Sequence, residues 1–450
     1  MSPVPVQEEI TFEGSMGVTE LVGAYPNYIR APETGIFKAW YQRAGTHAAP
    51  GLNLSSILCY AESDDGIHWK KPDLGFAKQY GFDTSLCNAV SFDVYPSCIY
   101  KVTYDPFDVD PQKRYKLACI NIEGDIWDNN ITGWPFTSPD GISWKIIPGS
   151  EWYKGRMGTD GNNQIQYNPI TERYQISCRP SCLDRRIALV ESKDLIHWTD
   201  PMVVLQPDAL DDDLLQFYSI SQYWYHDHFI GILQRHHIAE TETSGGVKWA
   251  GKVDDEIVYS YNGIYWLRSK RESLLPRAPL GEFASEQVYT SSMIELEDGS
   301  LRFYSMGDIG EHFGAEPIEG IECKNNLFVS EMRQCGFVCL EPAGGYGYFT
   351  TRVLIPRNGD LRLNYKAPNG VVRVQVSNKS HQPISGFSFE DFVELRGDDT
   401  SSAVSWKEGK TIDDFIGNEI RLEFQLFQAQ IYAIDWDFQI RYGDPIIERI

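Results

Sequence analysis

A chain of 450 residues is too long for one ordinary hydrophobic core, so two or three domains, or one large repeat domain with a smaller companion, are expected. Its 42% hydrophobic content supplies a sizeable core, and its net charge of −23 repels phosphate backbones and anionic membrane surfaces, which argues against nucleic acid and membranes as partners. A highly anionic polymer is also a poor substrate for so acidic a surface, unless a local basic pocket overrides the field.

No stretch of 18 apolar residues exists, so no transmembrane helix is expected. Residues Met1 to Glu9 carry neither a basic region nor an apolar run, so the expected location is cytoplasmic, or secreted if a leader has been removed. Nine Cys residues, an odd number, fit free thiols in a reducing compartment. Neither Cys178 with Cys182 nor Cys335 with Cys339 has a second ligand pair at zinc spacing, so both pairs read as structural.

In chain order, the alternating strand Ile57-Leu58-Cys59-Tyr60-Ala61 leads into Ser63-Asp64-Asp65-Gly66-Ile67-His68-Trp69. The same pattern returns at Ser138-Pro139-Asp140-Gly141-Ile142-Ser143-Trp144, as a variant at Ser192-Lys193-Asp194-Leu195-Ile196-His197-Trp198, and at Ser260-Tyr261-Asn262-Gly263-Ile264-Tyr265-Trp266. A degenerate fifth copy runs from Ser330 to Phe337. Asp-Gly or Asn-Gly after a strand marks a tight turn, because both residues tolerate positive φ. The Trp then opens the next strand. Copies spaced 54 to 75 residues apart suit four-stranded blades with enlarged loops, so five copies predict a five-bladed β-propeller. Tyr104-Asp105-Pro106 before Arg114-Tyr115, and Tyr167-Asn168-Pro169 before Arg173-Tyr174, read as strand, turn and returning strand. No segment reads as a long amphipathic helix.

Near residue 339 the pattern changes. Val372, Val374 and Val376, then Ile420, Leu422, Phe424 and Leu426, alternate with polar residues. That is a sheet packed on one face. Turns are expected at Pro368-Asn369-Gly370 and Gly397-Asp398-Asp399. The fold class is therefore all-β: a five-bladed propeller over residues 1–338, followed by a β-sandwich over 339–450.

These turn motifs, the early strand Phe37-Lys38-Ala39-Trp40-Tyr41-Gln42 and the stretch from Gly386-Phe387-Ser388 to Trp406 resemble glycoside hydrolase family 32, whose propeller is shared with families 43, 68 and 130. The resemblance implies a carbohydrate-processing active site in the propeller and a neutral substrate, a furanoside such as a fructoside or arabinoside. The family's Trp-x-Asn-Asp-Pro-Asn-Gly stretch is replaced by Arg30-Ala31-Pro32-Glu33-Thr34-Gly35, its Arg-Asp-Pro by Phe92-Asp93-Val94-Tyr95-Pro96, and its Glu-Cys motif is absent.

Glycosidic hydrolysis needs two carboxylates facing each other across the bond. In a propeller they come from the innermost strands. Resemblance places Glu33, before Ile36–Tyr41, near the family nucleophile, and Asp93 at the transition-state stabiliser. Asp160, in the polar run Gly158–Asn163, stands on the third blade, where the acid belongs. Glu286 is a further acid/base candidate. Asn163, Arg179, Tyr218, Arg235, Gln287 and His312 are the candidate substrate-binding residues. The run Asp211-Asp212-Asp213 reads as a solvated loop. A zinc site among His226, His228, His236 and His237 is the lesser reading, and no metal or cofactor is expected. The competing functions are a noncatalytic carbohydrate-binding propeller, a glycosyl-transferring relative and a sialidase-like enzyme, the last of which needs clustered arginines. The chain offers no phosphate-binding loop, dinucleotide fingerprint or nucleophile elbow.

Overall fold

The structure, a computed structural model, describes residues 8–9, 11–12, 26–44, 56–82, 86–96, 101–123, 130–156, 159, 161–180, 185–238, 250–312 and 326–441. The chain divides into two compact units: Val4–Leu296 with Leu301–Glu331, and Glu297–Ser300 with Met332–Ile450. Both are built almost wholly from antiparallel strands.

In the first unit the described residues form five consecutive antiparallel meanders. Sheet one has Asn27–Arg30, Phe37–Ala44 and Ser56–Ser63, with His68–Trp69 returning beside Glu62. Sheet two has Val102–Tyr104, Tyr115–Glu123, Asn130–Ser138 and Ser143–Ile146. Sheet three has Ile165–Asn168, Arg173–Cys178, Ile187–Ser192 and Met202–Leu205. Sheet four has Leu215–Tyr225, His228–Ile238, Gly251–Ser260 and Leu267–Ser273. Sheet five has Gln287–Glu295, Leu301–Asp308 and Asn326–Met332. Its outer partner is the N-terminal strand Glu8–Glu9, which pairs with Val329 and Phe328. Tyr104 faces Tyr115, and Asn168 faces Arg173, as the strand-turn-strand reading predicts.

In sheets one to four the recurrent motif forms the turn from the third strand to the fourth. In the first copy Ser63 Oγ accepts from Gly66 N at 2.8 Å, and Asp65 Oδ1 accepts from Ile67 N and His68 N, each at 2.8 Å. Ser138 and Asp140 repeat these bonds. Asp194 and Asn262 repeat the acceptor role. Burial opposes ionisation at Asp65, but the His68 backbone and ring, the Ile67 N–H and the Ser63 hydroxyl together hold its carboxyl below the ordinary range.

These turns dock on the preceding sheet. Trp40, on the second strand of sheet one, donates from Nε1 to Gly141 O at 2.6 Å. Asn168 of sheet three donates to Asn262 O at 2.8 Å. Arg302 of sheet five donates to Asp65 O, which carries the series around from the last sheet to the first.

The first strands also join in a ring. Val102 N donates to Asn27 Oδ1 at 2.5 Å, Lys101 bridges Gln164 in parallel, and Gln164 Nε2 donates to Gln222 O at 2.6 Å. Ser221 Oγ donates to Ser291 O at 3.3 Å, and Ser291 Oγ donates to Pro26 O at 2.5 Å. The buried Lys101 Nζ donates to Tyr223 Oη at 2.7 Å and Ser291 O at 2.5 Å, and burial pushes its pKa well down.

The second unit is a sandwich with its own core, which includes Leu363, Val374, Trp406, Leu422 and Phe424. The alternation at Arg421–Phe427 holds, with Leu422, Phe424 and Leu426 buried. Both turns expected there are corrected. Pro368-Asn369-Gly370 lies inside the long strand Arg362–Ser377, at a register shift between Ala367 and Val372, and Gly397-Asp398-Asp399 lies inside Leu395–Ala403. A bulge absorbs the extra residues without ending the strand.

Gly141 has φ +79°, and an added Cβ would stand 2.4 Å from the Trp40 ring; Gly75 has φ +77° and open space around it. Gly141→Ala should therefore cost a few kcal/mol, more than the roughly 1 kcal/mol of backbone strain expected for Gly75→Ala. Urea denaturation of both variants checks this, and equal losses would contradict the docking role of the turn.

Candidate functional site

The ring fixes which side chains share a level. Asn27, Gln164, Ser221 and Ser291 lie at one height. Residues upstream of them on sheets three, four and five therefore meet at one end. Second strands run back to that end, so Arg179, just after Arg173–Cys178, arrives beside Asn163. His312, beyond Leu301–Asp308, is held there by backbone bonds to Gly251.

Tyr218 is the centre of this group. The ladder shifts register between Phe217, opposite Arg235, and Ser219, opposite Gln234, so Tyr218 is the extra residue of a bulge. Bulges re-aim a side chain in this way. The Tyr218 ring lies 4.9 Å from the His312 ring, 5.9 Å from His236 and 6.0 Å from Tyr289. The guanidinium carbons of Arg179 and Arg185 stand 5.1 and 5.3 Å from its centroid. A cavity of about 10 Å³, room for one water-sized group, is lined by Asn162, Asn163, Arg179 and Tyr218.

Hydrogen bonds fix the proton positions. Gln287 Nε2 donates to Gly310 O at 2.6 Å, so its Oε1 accepts from the Tyr289 hydroxyl at 2.8 Å. With that proton committed, the Tyr289 oxygen accepts from His312 Nδ1 at 3.1 Å. A neutral His312 therefore carries its acceptor at Nε2. Arg185 Nη1 donates to Gln216 Oε1 at 3.0 Å and stands 3.4 Å from His236 Nδ1. Since a guanidinium only donates, that ring nitrogen accepts, and the His236 proton sits on Nε2. Burial, then the charges of Arg185 and His312, push His236 down to about 2, so it is neutral.

Glu286 opens onto an adjoining cleft of about 320 Å³, lined also by Lys252, Asp254, Ser273, Arg277 and Ser285. Glu286 and Gln287 are consecutive where the strand begins, so their side chains take opposite faces. The Glu286 carboxylate is 3.2 Å from Lys252 Nζ. Asp254 accepts from Arg235 Nε at 2.8 Å, lies 3.1 Å from His237 Nε2, and accepts from Ser273 Oγ at 2.9 Å. Burial opposes ionisation, but His237 and Arg235 bring Asp254 down to about 2. Its neighbour Asp255 is fully buried, accepts from Thr290 N at 2.6 Å, and is pushed well up by burial. The two adjacent carboxyls are thus shifted in opposite directions.

The structure therefore gathers Asn163, Arg179, Tyr218, Gln287 and His312 in one cluster and turns Glu286 to the other face of its strand, onto the cleft. It separates others. Glu33 sits in the turn between the first two strands of sheet one, at the downstream end, where it accepts from Tyr115 Oη at 2.7 Å and Lys38 Nζ at 3.3 Å. The expected inner strand, Ile36–Tyr41, belongs to the second strand instead; the first is the short Asn27–Arg30. Asp93 is exposed and accepts from Val94 N at 2.8 Å and Ile146 N at 3.0 Å. It follows Ser91–Phe92, which pairs with the outermost strand of sheet two, away from the ring. Arg235 alternates with His236 and so faces away from the cluster, into a network with Asp254, Glu256 and Ser273.

Asp160 lies outside the described residues. Asp211, read as part of a solvated loop, is instead buried in salt bridges with Arg268 at 2.5 Å and Arg271 at 2.9 Å, which neutralise its charge. His226 and His228 flank the hairpin between the first two strands of sheet four. Among the described residues no group of three or more His, Cys, Asp or Glu is arranged to hold a metal.

Sequence reasoning missed Arg185, Tyr289 and Asp254, and took His236 only as a possible zinc ligand. Gln216 and His236 are direct cross-strand partners, so a period-two reading of both strands would have put His236 on the site face.

No family model and no curated protein matches the chain. Solved structures similar to it include an N-acetylgalactosamine deacetylase from F. plautii in complex with blood group B trisaccharide, 12% identical over 74% of this chain and 96% of that one, TM-score 0.49. A mannose phosphorylase from Leishmania mexicana in complex with phosphate ion is 10% identical over 73% and 88%, TM-score 0.42. A family 32 β-fructofuranosidase from Bombyx mori is 12% identical over 92% and 94%, TM-score 0.41.

Asp93→Ala should lower stability by about 1 kcal/mol, through the two N–H groups it leaves, with sugar binding and any turnover unchanged. Denaturation beside a glycoside assay checks this; loss of turnover in a folded variant would return Asp93 to the site.

Proposed function

We propose that the chain is a carbohydrate-active enzyme that hydrolyses a glycosidic bond at the upstream ends of sheets three, four and five. The observation that supports this most is the cleft of about 320 Å³ that Glu286 and Asp254 line together, on the strands whose other face carries the cluster of Tyr218, Gln287 and His312. Aromatic faces and forked donors are what sugar rings and hydroxyls engage, and two carboxylates are what hydrolysis needs. In this reading Asp254, held ionised by Arg235 and His237, is the nucleophile or charge stabiliser, and Glu286 is the acid. Asp160 is the alternative acid. The described residues on either side of it pack on the cluster: Thr159 N donates to Arg179 O at 2.8 Å, and an added Cβ on Gly161 would stand 3.2 Å from Tyr218 O.

A sugar-binding protein without turnover is the second reading. Glu33 and Asp93 favour it, since both are committed to contacts away from the cluster.

One experiment separates the two: turnover of aryl furanosides and pyranosides, with Glu286→Gln and Asp160→Asn as variants. The enzyme reading expects activity in the parent chain and a loss of about 100-fold or more in Glu286→Gln, with sugar binding kept. Loss in Asp160→Asn alone moves the acid to Asp160. Binding without turnover in the parent chain establishes the second reading.

A further inference from the structure

We infer that the cleft lined by Glu286 and Asp254 takes a sugar carrying an acetyl group, as an acetamide or an ester, and that the loop over residues 274–286 reads that group. This rests on the carbohydrate reading above and specifies its substrate class.

The loop joins the last strand of sheet four to the first strand of sheet five and is closed by its own bonds. Leu274 N donates to Asp255 O at 2.7 Å at one end, and Glu286 N donates to Asp308 O at 3.1 Å at the other. Ala278 N donates to Ala284 O at 3.2 Å across the neck, and Glu282 N donates to Pro279 O at 3.0 Å in the tip. Leu274, Leu275 and Ala284 are buried and anchor it. A loop held this way presents its side chains with little ordering cost on binding. It supplies most of the cleft's lining: Pro276, Arg277, Ala278, Leu280, Ser285 and Glu286.

Two features of that lining ask for different things. Pro276, Ala278 and Leu280 make an aliphatic wall, and Leu280 at the tip is 73% exposed. A leucine held out at a polar cleft gains by being covered. The lining holds no aromatic ring to stack on a sugar face, so the wall suits a methyl-sized group. Ser285 Oγ and Arg277 Nη1 are buried with no hydrogen-bond partner among the described residues, and Ser285 is only 4% exposed. Buried polar atoms are normally paired, and both of these can donate to a carbonyl oxygen. The charges in the cleft already have partners: Lys252 Nζ is 3.2 Å from Glu286, and Arg277 Nε is 4.0 Å from Asp254. A neutral acceptor therefore fits where an anion would compete with a carboxylate. An acetyl group is neutral, brings a carbonyl oxygen and ends in a methyl, so it meets both demands at once. A hydroxyl leaves the wall uncovered, and a deoxy methyl leaves the donors unpaired. A cleft of about 320 Å³ stands at the small end of ligand sites, which suits one substituted sugar unit.

The test is calorimetric titration of the full chain with glucose, N-acetylglucosamine, N-formylglucosamine, 6-deoxyglucose and the 3-O- and 6-O-acetyl esters of glucose, with the matching galactose series. The expected result is about tenfold or tighter binding of one acetylated sugar than of its parent hexose, with the formyl and deoxy sugars gaining about threefold or less. That preference should fall to about threefold or less in Leu280→Ser and in Ser285→Ala, and survive in Leu280→Met. Preference for the N-acetyl sugar assigns an acetamide, and preference for an acetate assigns an ester. Leu280 is exposed, so the melting curve of Leu280→Ser should match that of the parent chain; if Ser285→Ala melts lower, Leu280→Ser decides. Equal affinity for the parent and acetylated sugars, no binding of any probe, a formyl or deoxy sugar bound as tightly as the acetylated one, or a preference that survives Leu280→Ser overturns the inference. Turnover of unacetylated glycosides without acetyl preference would sink this inference and leave the hydrolase reading standing. Acetyl preference without turnover would do the reverse.

Discussion

Side-chain to backbone hydrogen bonds between neighbouring first strands set the common height from which every statement about the site follows. Asn27, Gln164, Ser221 and Ser291 are polar residues on buried strands, and each spends its side chain on the next sheet rather than its own. An unmade bond there would leave a buried polar group unsatisfied, so a slip of one sheet along its neighbour is penalised at each junction. The strands are consequently locked in parallel register. That register brings the upstream ends of sheets three, four and five together and puts Glu33 at the other end.

The outer rim repeats the logic with different chemistry. A Ser hydroxyl and an Asp or Asn oxygen satisfy the turn's own N–H groups, which leaves the turn carbonyl for the sheet before it. Trp40, Asn168 and Arg302 are unrelated side chains, yet each donates to a carbonyl of such a turn, Trp40 at the Gly position and the other two at the Asn or Asp before it. The N-terminal strand Glu8–Glu9 adds to the last sheet, so chain ends distant in sequence close the series.

Local chemistry was what the sequence made legible. Ser63, Asp65 and Gly66 act within one turn, so their spacing alone announced the repeat and the all-β class. Tyr218, Gln287 and Asn163, which the structure brings into one cluster, each lie just upstream of or within a strongly patterned strand. Errors came where identity depended on partners far along the chain. Asn27–Arg30 is short and polar, so the more apolar Phe37–Tyr41 stood out as the inner strand, which misdirected Glu33. Asp93 resembled a family motif, but its neighbours Ser91 and Phe92 pair with Ser143 and Trp144, about fifty residues later. Arg235 and His236 differ only in parity, and a bulge at Tyr218 determines which of its neighbours they meet. Pro368-Asn369-Gly370 carries turn residues, yet the flanking strands pair on both sides and carry it through as a bulge.

A crystal structure of the chain with an oligosaccharide bound tests the central claim most directly. The account predicts sugar density in the cleft lined by Glu286 and Asp254, at the upstream ends of sheets four and five. Density confined to the opposite end of the ring beside Glu33, or to the sandwich, would contradict it.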